Sequence, residues 1–276
     1  MSLIDHYAVF GSPIKHSKSP RIHKLFAKQT QQAIIYDAQE VSAEQFNYST
    51  SNFFKQGGKG LNCTLPLKEL AWGYADIKTE RAELSKAVNT LTLQSDGSIL
   101  GDNTDGVGLL TDLMKNHEVN LANANVLILG AGGASRGIIL PILEQNVASL
   151  VIANRTVDKA IHLANEFTLK GTIKGCGFND LTNQQFNLII NATSSSLSND
   201  TPPLPEHLLY KNGVCYDLAY GNEPTTFVRW GQKNRALKNL DGLGMLVEQA
   251  AEAFFIWRGV RPNTQEVIAL LNTERG

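Results

Sequence analysis

Apolar positions in the first hundred residues follow two rhythms. Short strand-like runs, Tyr7 to Phe10, Ala33 to Ala38 and Gly60 to Thr64, alternate with segments of helical spacing, Ser19 to Lys28 and Ala43 to Phe54. This alternation predicts an α/β arrangement. Ala87 to Leu93 and Ile99-Leu100 flank Asp96-Gly97, a pair suited to the positive φ angles of a tight turn, so a hairpin is expected there.

From Asn125 onward the pattern changes. Asn125 to Leu129 (NVLIL) is a short apolar run of the kind expected in a parallel sheet covered on both faces, and a glycine-rich turn and a helical pattern follow it. Ser149 to Ala153, Phe186 to Asn191 and Val214 to Leu218 repeat the buried-strand signature, with intervening stretches long enough to return as helices. This half is expected to form a Rossmann-like doubly wound domain. Pro141 falls in the helix after the glycines, where its missing N–H predicts a kink or an early end. Beyond Asp241-Gly242, Met245 to Trp257 reads as a strongly apolar helix and Thr264 to Leu271 as a second. If this pair returns to the first domain, residues 1–104 and 241–276 form one α/β unit and 105–240 an inserted nucleotide-binding domain.

A length of 276 residues suits two modest domains. Lys and Arg number 25 against 26 Asp and Glu, and no run of like charge breaks the balance, so nucleic acid is not an expected partner. No apolar stretch approaches the roughly 20 residues that span a bilayer, and the first residues lack a basic segment followed by an apolar core. The expectation is a cytoplasmic protein without a membrane partner. Cys63, Cys176 and Cys215 are widely spaced and form no C-x-x-C pair, so they are read as buried free thiols. No spacing of His, Cys and carboxylates suggests a metal site.

Gly130-Ala131-Gly132-Gly133-Ala134-Ser135-Arg136 begins where the NVLIL run ends. Glycines there let the chain turn tightly and approach a pyrophosphate, with the free amides of the following helix facing the anion. Ser135 stands at the last glycine position, where helix–sheet packing asks only for a small residue. The alternative is a merely structural turn. A phosphate-binding loop of the ATPase kind is absent, so a dinucleotide is the expected ligand. Where an NAD enzyme usually places an acid on the ribose, this chain has Asn154-Arg155-Thr156, with Lys159 one turn further. Arg155 can stack on adenine and fork to a 2′-phosphate, Lys159 adds charge and Thr156 a hydroxyl, so NADP(H) is expected over NAD(H). Solvated cations at a helix start are the competing reading, but they would oppose the helix dipole.

Four further strings complete the set: Ser17-Lys18-Ser19-Pro20, Asn62-Cys63-Thr64-Leu65-Pro66-Leu67-Lys68, Ala87-Val88-Asn89-Thr90 and Asn103-Thr104-Asp105-Gly106. With the glycine loop, Asn154-Arg155-Thr156, Asn191-Ala192-Thr193-Ser194 and the stretch Asp241 to Gln249, they closely resemble the motifs of shikimate dehydrogenases, in the family's order and over nearly the whole chain. The resemblance implies reversible NADPH-dependent reduction of 3-dehydroshikimate, with Lys68 and Asp105 as catalytic dyad. Taken singly, Lys68 reads as a surface lysine and Asp105 as a turn or capping residue.

By the same resemblance, Ser17, Ser19 and Tyr220 hold the substrate carboxylate, and Thr64, Asn89, Asp105 and Gln249 the ring hydroxyls. Ser17 and Ser19 also suit helix capping ahead of Pro20. Thr193, Leu218, Gly242 and Met245 match cofactor positions. Ser196 replaces a usual glycine, which bears on local backbone geometry. His16, beside the first serine string, is read as a surface or supporting residue. A quinate/shikimate dehydrogenase shares most motifs but often uses NAD, against which Arg155 counts. A methylenetetrahydrofolate dehydrogenase has a comparable plan but lacks the Ser17–Pro20 and Asp241–Gln249 signatures. A noncatalytic NADP-binding sensor would have no need of both Lys68 and Asp105. The oligomeric expectation is a monomer or homodimer.

Overall fold

The computed structural model describes residues 4–193, 195 and 202–275. The chain divides into two compact units, Met1–Gly108 with Leu246–Leu270, and Leu109–Met245 with Leu271–Gly276. The two crossings therefore fall within helices, a few residues beyond the limits 104/105 and 240/241 read from the sequence. The last six residues group with the second unit rather than the first.

The first unit opens β1 (Asp5–Gly11), α1 (Ser19–Thr30), β2 (Ile34–Glu40), α2 (Phe46–Lys55), β3 (Gly58–Cys63), α3 (Lys68–Tyr74), β4 (Ile77–Lys78), α4 (Glu80–Ser85), β5 (Thr90–Leu93), β6 (Ile99–Asp102) and α5 (Asp105–Thr111). Its sheet runs β2-β1-β3-β5-β6-β4, parallel at β2-β1-β3 and at β6-β4, and antiparallel through β3-β5-β6. Central β1 is buried from Tyr7 to Gly11, which explains its uninterrupted apolar run. α2 buries Phe46, Thr50 and Phe53, a three-and-four spacing that places one face on the core. The β5–β6 hairpin closes on Gly97 at φ 89, with the Asp96 carboxylate accepting from Ser98 N–H.

The second unit begins with a π-helical turn over Asp112–Asn116, then β7 (Asn125–Leu129), α6 (Gly133–Leu143), β8 (Ser149–Ala153), α7 (Val157–Asn165), β9 (Ile173–Cys176), β10 (Phe186–Asn191), β11 (Leu209–Asp217), α8 (Thr226–Lys233) and β12 (Lys238–Leu240). All six strands are parallel, in the order β9-β8-β7-β10-β11-β12. Numbered within this unit that is 3-2-1-4-5-6, the doubly wound order whose ligand crevice opens where the winding reverses, between β7 and β10. α6 passes through Pro141 and ends two residues later at Leu143, so the proline does not stop the helix where it stands.

The chain closes with α9 (Leu243–Arg258) and α10 (Thr264–Thr273). Much of this pair belongs to the first unit. Trp257 Nε1 donates to Leu91 O (3.2 Å) and Thr92 Oγ1 (3.1 Å), Arg258 pairs with Asp5, and Gln29 Nε2 donates to Glu266 (3.2 Å). The three cysteines are free and buried; burial pushes the Cys63 thiol up, and that of Cys215 up to about 12.

Candidate active site

In the first sheet the end of β3, the start of β5 and the end of β6 lie side by side, with Asn62 opposite Thr90 and Thr90 opposite Asp102. Whatever follows β3 or β6, or precedes β5, is therefore brought to one end of the sheet. After β3 the chain turns through a cis Leu65–Pro66 peptide and starts α3 on Lys68; after β6 it starts α5 on Asp105. Asn89 immediately precedes β5.

These three residues are joined directly. Lys68 Nζ donates to Asp105 Oδ2 at 2.5 Å, and Asn89 Nδ2 donates to Asp105 Oδ1 at 2.9 Å. The Asp105 side chain is 8% exposed and that of Lys68 23%, so the carboxylate is enclosed and the lysine side chain is the more open of the two. Asn89 Oδ1 accepts from the Thr104 N–H (2.9 Å), fixing which way the amide points. Gln249, on α9, brings its Oε1 to 3.4 Å from Asn89 Nδ2 and 3.5 Å from Thr104 Oγ1. The Gln249 amide, on a predominantly apolar helix, thus finds its partners in this cluster.

Asn103 and its neighbours hold the loop between β6 and α5. Its Oδ1 accepts from the Asp105 N–H (3.1 Å), and its Nδ2 donates to Ala87 O (3.0 Å). Asn62 Nδ2 donates to Asn89 O (3.0 Å), and Asn62 Oδ1 accepts from Tyr36 (2.7 Å). A side-chain hydrogen bond links Tyr36 in turn to Ser19, so Ser19 connects to Asn89 through Tyr36 and Asn62. Ser17 Oγ accepts from the first helical amide, Ser19 N–H, at 3.3 Å, while Lys18 occupies the cap position. The capping role thus falls partly to Ser17. Thr64 follows Cys63 at the end of β3, its methyl packed over Gly11. His16 is exposed.

Thr104, Asn62 and Tyr36 were not assigned roles from the sequence. The first two stand inside the quoted strings, which was their signal. Tyr36 had none beyond being a polar-tipped aromatic in a strand.

In the second unit Gly130 leaves β7 at φ 105, a conformation that strains any side chain, and the Ala192 carbonyl 3.1 Å from where a Cβ would sit crowds the position further. Around Gly132 and Gly133 the same construction meets nothing within 4 Å, leaving open room beside the amides that start α6. Ser135 is fully buried and its hydroxyl donates to Gly130 O at 2.8 Å, so it braces the loop from inside. Ala131 and Ala134 flank these positions.

Asn154, Arg155, Thr156 and Lys159 lie just past β8 at the start of α7, and all but Asn154 are exposed. Asn154 Nδ2 donates to Thr156 O (2.9 Å). Thr193 follows β10, its hydroxyl bonded to Asn191 Oδ1 (2.6 Å); Ser194 and Ser196 lie outside the described residues. Leu218 follows β11, and a Cβ on Gly242 would stand 2.1 Å from Leu218 O, so those two backbones are in contact. Met245 lies near the start of α9, where its backbone hydrogen-bonds Tyr216. Burial raises the Tyr220 pKa, with the Arg275–Asp241 pair beside it. Among the described residues no group of three or more His, Cys, Asp or Glu could hold a metal ion.

Comparison with known proteins covers each part of the chain. Family profiles for the shikimate dehydrogenase substrate binding domain, shikimate/quinate 5-dehydrogenase and the shikimate 5′-dehydrogenase C-terminal domain match residues 9–91, 112–207 and 242–271. The shikimate dehydrogenase (NADP(+)) of Methylococcus capsulatus is 58% identical over 275 residues, covering 100% of this chain and 99% of its own. The crystal structure of an Ael1 enzyme from Pseudomonas putida superposes with a TM-score of 0.89 at 46% identity, covering 97% of this chain and 98% of that one. That of shikimate 5-dehydrogenase from Thermus thermophilus, in complex with NADP(H) and shikimate, gives 0.86 at 30% identity, covering 99% and 100%.

Proposed function

The chain belongs to the shikimate dehydrogenase family, and from that membership we propose that Lys68 and Asp105 are the catalytic pair of an NADPH-dependent, reversible reduction of 3-dehydroshikimate to shikimate, a step toward chorismate and the aromatic amino acids. The 2.5 Å contact between Lys68 Nζ and Asp105 Oδ2 carries this reading.

When bound, NADPH supplies the hydride. As the ketone oxygen gains negative charge, the Lys68 ammonium stabilises it and transfers a proton, and in the reverse direction neutral Lys68 takes the proton from the hydroxyl. Asp105 keeps the ammonium aimed, with its other oxygen occupied by Asn89. Thr64, Asn89, Asp105 and Gln249 contact the ring hydroxyls, and Ser17, Ser19 and Tyr220 the carboxylate. A substrate lacking those hydroxyls would leave buried polar groups unpaired and be rejected.

The second unit fits the cofactor. The open space beside Gly132 and Gly133 and the amides opening α6 suit a pyrophosphate. Arg155, Thr156 and Lys159 are exposed where a 2′-phosphate would be held, beside Asn154. Gly130, Ala131, Ala134 and Ser135 shape the loop, and Thr193, Leu218, Gly242 and Met245 face the nicotinamide end in this reading. We place the enzyme in the cytoplasm on its family resemblance; among the described residues no helix is long and apolar enough to cross a membrane.

Mixing purified protein with shikimate and NADP+ and following the absorbance of reduced cofactor tests the assignment. Faster turnover with quinate and NAD+ would instead make it a quinate/shikimate enzyme, and binding without reduction would make it a sensor.

A further inference from the structure

One ion cluster in the first unit is not used by the reaction. Arg81, in the first turn of α4, donates from Nε to Asp102 Oδ1 and from Nη2 to Asp102 Oδ2, both at 2.6 Å, a forked contact. The same Nη2 lies 3.4 Å from Glu252 Oε1 on α9, and Arg261 pairs with the other Glu252 oxygen. Asp102 Oδ1 also accepts from the Thr79 hydroxyl (2.6 Å), which itself caps α4, and from the Asn103 N–H (2.7 Å). The Asp102 side chain is 7% exposed and that of Glu252 13%. Burial opposes the charge on Arg81, and the two carboxylates more than offset it, so its pKa is raised.

The position of this cluster matters more than its strength. Asp102 is the last residue of β6, three before Asp105, and its carbonyl accepts the Asn89 N–H at 3.0 Å. Glu252 lies three residues after Gln249 on α9, the spacing that places two side chains on one helical face. Arg81 therefore ties the strand end that presents Asp105 to the helix that presents Gln249, its Nη2 shared between Asp102 and Glu252. α4 also reaches this loop through Ser85, whose hydroxyl accepts from Asn103 Nδ2 at 3.3 Å.

We infer that Arg81 is a positioning residue: the fork to Asp102 sets the β6–α5 loop and the branch to Glu252 sets the rotation and slide of α9, so that Asp105 and Gln249 meet Asn89 together. This rests on the reaction proposed above. The planar guanidinium is needed because three carboxylate oxygens are contacted at fixed angles, which a lysine ammonium cannot reproduce.

The test measures shikimate oxidation by NADP+ at steady state, NADP+ affinity and thermal melting for wild type, Arg81→Ala, Arg81→Lys, Glu252→Gln, Gln249→Ala and the Glu252→Gln/Gln249→Ala pair. A displacement of about 1 Å at a reacting group lowers rates on the order of a hundredfold, so kcat/KM for shikimate should fall roughly tenfold to a hundredfold in Arg81→Ala, with NADP+ affinity held within about twofold. Arg81→Lys, which keeps the charge without the fork, should fold as wild type does and still show raised KM; it decides the matter if Arg81→Ala does not fold. If the Glu252 branch acts through Gln249, the double variant should lose no more than Gln249→Ala alone. Wild-type kinetics in a folded Arg81→Lys protein, equal losses of shikimate and NADP+ affinity, or full additivity in the pair would overturn the inference. An inactive wild type would remove the functional reading, and this inference with it, whereas an active wild type with unaffected variants would remove the inference alone.

Discussion

Replacing His23 with phenylalanine removes a titratable group from a place where it cannot easily take a proton. His23 is fully buried on α1, neither ring nitrogen has a partner, and the ring lies flat on Tyr36 at a centroid distance of 3.9 Å and an interplanar angle of 7°. Phe26, Phe254 and Trp257 enclose the remainder. Burial pushes the imidazole down to about 3, whereas an unfolded histidine titrates near 6.5. The unfolded chain then binds the extra proton between those values, so the stability this site protects is complete above about pH 6.5 and falls as pH drops toward 3. At about 1.4 kcal/mol per pH unit, lowering pH from about 7.5 to about 5 removes about 2 kcal/mol from this site alone.

Urea unfolding followed by tryptophan fluorescence at those two pH values measures the effect. Wild type should lose about 2 kcal/mol more than His23→Phe between them, since the other titrating groups are common to both proteins and cancel. Near neutrality the variant should be at least as stable as wild type, because two unsatisfied buried nitrogens, each costing on the order of 1 kcal/mol, are gone. Equal acid sensitivity in the two proteins would refute the argument.

Three further outcomes are expected. Lys68→Ala should lower kcat by about 10²- to 10⁴-fold with NADP+ affinity retained, which steady-state kinetics and a cofactor titration would show. Arg155→Ala should weaken NADP+ by about 10- to 100-fold, the loss of a charge-assisted contact, and weaken NAD+, which loses only the adenine stacking, by much less. Gly175→Ala would drive a methyl to 2.2 Å from the backbone carbonyl of Ala160, so β9 and α7 must part; a stability loss of about 1–3 kcal/mol should appear as a lowered melting temperature without a change in KM for shikimate.

Three of the four interior strands of the second unit were legible to the residue, while β11 begins at Leu209, five residues before the apolar run read as Val214 to Leu218, and ends at Asp217. β7, β8 and β10 occupy the limits set by their apolar runs because both faces are covered, and the pattern is then unbroken. The edges were not. β4, β9 and β12 lie at sheet edges or carry lysines and glycine, as in Lys238-Asn239-Leu240, and each has a neighbour on one side alone. The short helices α3 and α4 offered too little periodicity to separate from loop. For the site, the motif strings pointed to Lys68, Asn89, Asp105 and Gln249, and the structure brings these four together. It places Ser135 facing into the loop, where it binds Gly130. Arg81 escaped notice because a lone arginine on a short helix carries no pattern; only its distances to Asp102 and Glu252 distinguish it.

The return of α9 and α10 to the first unit bears on how the chain matures as it is made. Asp5 is synthesised 253 positions before its partner Arg258, and Trp257 must arrive before it can bond Leu91 and Thr92. The doubly wound sheet has all six of its strands once Leu240 has emerged. The unit whose strands are made first is thus completed late, and the sheet face that Trp257 covers at Gly60 and Leu91 must wait, unsealed, for α9.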